Sequence, residues 1–216
     1  MSDTNDATAA DRSRLGRWML VVLLILLNAA VQALLVAGDP IPGVSWWFAV
    51  LVLLSFAAVT VTVWLGCALL EPLLYDGADR RPARLRLLVW SAASVAIAAI
   101  AGVIVPALAV LPALLAAFVL PPVARGSKAP SHHAASVFRR HPVRAVITAI
   151  GGVVLLVLSC LAALLLGFFI TGWLAAGLTW VCFGLAGALL VSTTSSLFRH
   201  SMNRPSRRGR IGEAVT

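Results

Sequence analysis

Long apolar runs alternate with short polar ones along this chain of 216 residues. Residues 87–124 include no charged side chain, and neither do residues 145–198. As single helices these runs would be about 57 and 81 Å long, against a hydrocarbon core of about 30 Å. Each must therefore fold back once. The first divides around Pro106 into spans 87–105 and 107–124, and the second around Thr171-Gly172 into spans 145–170 and 172–197. Residues 18–37 and 44–74 give two further spans, joined by the tight turn Gly38-Asp39-Pro40-Ile41-Pro42-Gly43. That turn leads directly into another span, so the first helix is expected to be retained rather than cleaved as a signal sequence. The pattern predicts an all-α polytopic membrane bundle of six helices within residues 18–198. A cytoplasmic N-terminal tail (1–17) and a basic, disordered cytoplasmic tail (199–216) flank it.

The intervening polar segments predict how the spans thread. All 17 Lys and Arg residues fall in residues 1–17, 75–86, 125–144 and 199–216, and none falls in the three turns that alternate with them. Cations accumulate on the cytoplasmic side of membrane proteins. Loops 75–86 and 125–144 and both termini are therefore expected in the cytoplasm, and the spans form three in–out–in hairpins. Trp46, Trp47 and Trp173 gather at these cation-free turns, where indole rings favour the headgroup boundary. A short similarity links two hairpin entries: Arg80-Arg81-Pro82-Ala83-Arg84 precedes the third span and Arg140-His141-Pro142-Val143-Arg144 the fifth. Proline is tolerated in a first helical turn, where its missing N–H leaves no bond unmade. Between loop and span, residues 131–141 carry Ala134, Val137 and Phe138 beside polar positions, which predicts a short helix lying on the inner leaflet.

Composition narrows the function classes. With 61% hydrophobic and 12% charged residues and a mean hydropathy of +0.98, the chain does not read as a soluble domain. A net charge of +9 prompts a nucleic-acid reading. The cations flank membrane spans without interleaved aromatics, so anionic headgroups are the expected partners and nucleic acid is not. Arg outnumbers Lys sixteen to one in an Ala-, Leu- and Val-rich chain, a bias that resembles high-GC bacterial genomes, so a bacterial plasma (inner) membrane is the expected location. Cys67, Cys160 and Cys182 have no metal-ligand spacing, so no metal or other cofactor is expected.

Few residues suggest chemistry. Asn28 and Gln32, spaced i and i+4, share one helix face and are read as intramembrane polar contacts to Ser55 or Thr60. Glu71 is the one acidic residue flanked by apolar sequence, close enough to Arg80, Arg81 and Arg84 to pair with them. Arg80, Arg81, Arg84, Arg139, Arg140, Arg144, Arg199, Arg207 and Arg208 are candidate contacts for lipid headgroups or a protein partner. Stripes of small residues, Ser94/Ala98/Gly102 and Gly184/Ala188, mark close helix packing. No constellation with catalytic spacing is present. The expected role is a non-catalytic subunit or scaffold of a membrane complex. A transmembrane subunit working with a separate ATPase is the alternative, and an inner-leaflet lipid or envelope enzyme a third.

Overall fold

The computed structural model describes residues 3–37, 45–70, 80–127, 129–140 and 142–202. These residues form seven α-helices: α1 (Asp3–Val36), α2 (Trp46–Leu70), α3 (Arg80–Ile104), α4 (Val110–Ala124), α5 (Pro130–Arg140), α6 (Pro142–Phe169) and α7 (Trp173–Met202). A 3-10 turn, Pro106–Ala109, leads into α4. Six of the helices are long and apolar enough to cross a membrane, and the chain is a multi-pass membrane protein. Turn Glu71, residues 203–216, and the side chains of Arg80, Arg81, Arg140 and Arg199 lie outside the described set, as do Arg207 and Arg208.

The helices run past the apolar stretches that define their spans. α1 begins at Asp3 and α3 at Arg80, inside segments that sequence alone assigns to a tail and a loop. Arginine and alanine are good helix formers, so nothing local stops the helix where the hydrocarbon ends. Stops appear where the backbone demands them. α4 closes in a Schellman motif: Gly126 adopts φ 79°, its N–H donates to Val123, and the N–H of Ser127 donates to Pro122. Gly172, at φ 75°, turns α6 into α7.

Three helices, α2, α4 and α7, touch one another and form the inner layer. Each is the second helix of a hairpin. The first helix of each hairpin lies outside, against its own partner and one other inner helix: α1 on α2 and α7, α3 on α4 and α2, α6 on α7 and α4. The three hairpins thus follow one packing rule around a ring, which α1 closes against α7.

Small residues permit the closest approaches. Ile25 of α1 seats on Gly184, where a Cβ would lie 2.5 Å from its Cγ2, and Gly177 faces Ala29 and Ala33. Gly152 of α6 receives the side chains of Leu114 and Leu190, and Gly102 of α3 faces Ala109. Two apolar clusters anchor the bundle near its basic end. Cys67, Leu87, Leu120 and Val123 join α2, α3 and α4, while Val21, Ile25 and Ala188 join α1 to α7.

α5 departs from the expectation of a helix lying on lipid. Pro130, Ala134 and Val137 are buried against protein. Val137 packs with Ala145 and Phe198, and Phe138 meets Phe118 with ring centroids 5.3 Å apart. The connections explain this. One residue, His141, separates α5 from α6, and the Schellman turn brings the chain straight back under α4, so the apolar face meets the helix ends first.

Candidate functional site

Two polar assemblies interrupt the apolar interior. The first lies between α1 and α2. Gln32 Nε2 donates to the carbonyl of Ser55 at 3.3 Å, and Ser55 Oγ donates back to Gln32 Oε1 at 2.8 Å. The amide is thereby bound through both its ends. Asn28, one turn away on α1, is 7% exposed, and its Oδ1 has no hydrogen-bond partner among the described residues. Thr60 Oγ1 on α2 and Ser91 Oγ on α3 are likewise buried and unpartnered there.

The second assembly sits at the basic end, where α4, α5 and α7 converge, and it begins with a sequence feature. Pro121 and Pro122 occur inside α4. A proline has no N–H, so Pro121 leaves the carbonyl of Ala117 without its helical donor. Thr194 of α7, fully buried, supplies one: its Oγ1 lies 2.8 Å from that carbonyl. The same hydroxyl lies 3.0 Å from the carbonyl of Leu190 and 2.9 Å from that of Val191. Those two carbonyls sit within an intact helix and already have backbone donors. The single hydroxyl proton is therefore best spent on Ala117.

Arg125, the residue that ends α4, extends this contact toward the basic face. Its Nη2 donates to the carbonyl of Ser195 at 2.9 Å, and its guanidinium carbon lies 5.7 Å from the centroid of the Phe198 ring. A cation over an aromatic face is attracted by the ring quadrupole. From α3, Arg86 Nη1 donates to the carbonyl of Ser127 at 3.3 Å. Ser127 also organises the start of α5. Its Oγ accepts from the N–H of Ala129 at 3.3 Å and lies 3.0 Å from His133 Nδ1, which in turn is 3.1 Å from the carbonyl of Ala129. Through Nδ1, His133 thus ties the start of α5 to Ser127 and Ala129.

The residues singled out from sequence separate into distinct places. Asn28 and Gln32 are buried together, and Gln32 meets Ser55 as expected. Arg84 is exposed at the start of α3, where its carbonyl accepts from Trp64 Nε1 at 3.2 Å. Arg139 on α5 and Arg144 on the first turn of α6 are exposed at the same end of the bundle. The arginines that make internal contacts, Arg86 and Arg125, are not among those chosen. Pro121-Pro122 directly before a basic segment was the available signal: two freed carbonyls near a helix end require donors from elsewhere. Among the described residues, no group of three His, Cys, Asp or Glu side chains is placed to hold a metal ion.

In comparisons with known proteins, the chain matches no family model, no curated protein and no solved structure.

Proposed function

We propose that this chain is a non-catalytic subunit that scaffolds a complex in a bacterial plasma membrane. In this reading both termini and the basic end face the cytoplasm, and the exposed arginines meet anionic headgroups and a protein partner. The observation that carries it is the use made of the interior polar groups. Gln32 with Ser55 and Thr194 with Ala117 tie helices together, while Arg84, Arg139 and Arg144 remain displayed at one end. Affinity purification in mild detergent tests the reading. A stable membrane or envelope partner supports it, and isolation of the chain alone with full activity on a lipid substrate overturns it.

A second reading has its own support. α5 is braced against α4, α6 and α7 and turns Ser131, His132, His133 and Arg139 outward, an arrangement suited to receiving an ATPase at the cytoplasmic face of a transporter. Co-purification of an ATPase, lost on charge reversal at Arg139, favours it over the scaffold. Orientation is tested separately, with single cysteines and an impermeant thiol reagent applied to intact cells. Gly43 and Gly172 should label and Gly126 should not.

A further inference from the structure

The prolines of α4 leave its last turn joined to the rest of the helix by fewer bonds than usual. Neither Pro121 nor Pro122 has an N–H, so the carbonyls of Ala117 and Phe118 lose their helical donors at successive positions. Helices bend most readily at such positions. On the basic side of the break the chain is firmly held. The N–H groups of Arg125 and Ser127 donate to the carbonyls of Pro121 and Pro122 at 3.1 and 3.0 Å. Arg125 binds the carbonyl of Ser195 on α7, and Arg86 of α3 binds that of Ser127. Leu120 and Val123 are packed with Cys67 and Leu87.

On the other side of the break α4 is held differently. Residues 110–120 carry no polar side chain, so a donor on a neighbouring helix can reach only their carbonyls. Helical bonding occupies those carbonyls except where the prolines free one. Thr194 takes the one at Ala117. The rest of this seam is apolar. Ala117 packs with Leu156 of α6 and Leu190 of α7, and Leu114 and Leu190 fill the space at Gly152. Lipid tails are as apolar as these side chains, so hydrocarbon replaces such contacts at little cost. The hydroxyl bond therefore weighs most in keeping the seam shut. Its release costs α7 little. The Thr194 hydroxyl already lies 3.0 and 2.9 Å from the carbonyls of Leu190 and Val191 and can turn its proton to either without moving.

We propose that Pro121-Pro122 is a hinge and Thr194 its latch, on which the α3–α4 hairpin swings away from α6 and α7. Latched, the Thr194 proton rests on Ala117 and the seam is closed. Released, the proton turns back onto α7, the hairpin pivots about the segment fixed by Arg125 and Arg86, and lipid acyl chains fill the opened seam. At the far end of the hairpin Val103 and Ile104 stand exposed, so protein does not enclose the end that travels. Pro121 both weakens the helix and frees the acceptor that the latch needs, so one residue supplies hinge and catch. The Ala117 carbonyl, bare in hydrocarbon once released, makes the closed form the resting state.

Double electron–electron resonance on the full chain in nanodiscs tests this. The free Cys67, Cys160 and Cys182 are replaced by alanine, and spin labels are attached at Leu111→Cys on α4 and Leu158→Cys on α6, both exposed positions. With Thr194 intact, one main distance should dominate. Thr194→Val should raise the population at longer distance about fivefold, whereas Thr194→Ser keeps the hydroxyl and should not. Adding Pro121→Ala and Pro122→Ala to Thr194→Val should return the short distance, because the restored N–H groups stiffen α4 and serve the freed carbonyls. A bundle that is merely loosened would not be repaired in that way. An unchanged distribution in Thr194→Val overturns the proposal, and so does a long-distance population that remains once both prolines are replaced. Labels at Leu115 and Val154, also exposed, repeat the comparison where the first pair impairs folding.

Discussion

Thr194→Val combined with Pro121→Ala isolates the contact that joins the inner helices α4 and α7 at the basic end. Valine keeps the β-branched shape of threonine and removes only the hydroxyl. In the unmodified chain the loss leaves the Ala117 carbonyl with no donor, since Pro121 cannot supply one. Interhelical hydrogen bonds in membranes contribute about 0.6–2 kcal/mol, and an orphaned buried acceptor costs about 1–3 kcal/mol. Thr194 is fully buried, so a loss of about 1.5 kcal/mol is expected for Thr194→Val alone. Pro121→Ala restores an N–H at the position that normally serves Ala117. In that background Thr194→Val should cost about 0.5 kcal/mol or less, giving a coupling near 1 kcal/mol. The measurement is reversible unfolding in mixed micelles by SDS titration, with all four proteins of the cycle compared. Coupling below about 0.3 kcal/mol, the usual additivity error, would refute the assignment of the proton to Ala117.

Other perturbations test separate contacts. Gly184→Ala drives a methyl to 2.5 Å from Ile25 Cγ2 and should cost about 1–3 kcal/mol by the same unfolding assay, with Ile25→Ala in the same chain recovering part of the loss. Gln32→Leu should lose about 0.6–2 kcal/mol, and Ser55→Ala in addition should lose little more, because the two side chains make one reciprocal contact. Arg125→Gln removes the cation above Phe198 and should weaken the end of α4 by about 1 kcal/mol, read as faster proteolysis of the α4–α5 connection in nanodiscs.

The architecture was largely legible in the sequence because its determinants are local. Uncharged stretches around Pro106 and Thr171-Gly172 exceed what one span can use, so six membrane-length helices follow from length and charge placement alone. Gln32 was identifiable because a buried amide in hydrocarbon must find a partner. What escaped depends on which faces meet. The pairing of Thr194 with Ala117 requires knowing that α7 lies beside α4 at that level, and nothing in residues 192–196 marks one hydroxyl among five. Residues 131–141 predict an amphipathic helix correctly in kind, but periodicity does not say whether the apolar face meets lipid or protein.

The ring of hairpins has a consequence for how the protein is made. Its first helix is finished only by its last. Val21 and Ile25 pack against Ala188, and Ala29 and Ala33 against Gly177. During synthesis α1 must therefore wait in the membrane, with buried Asn28 and Gln32 on the adjoining face, until the third hairpin arrives. A chain arrested after α5 would hold two of three hairpins and an unclosed seam on both α1 and α2. Completion is thus signalled by closure itself, and the open seam is a mark by which an unfinished chain differs from a finished one.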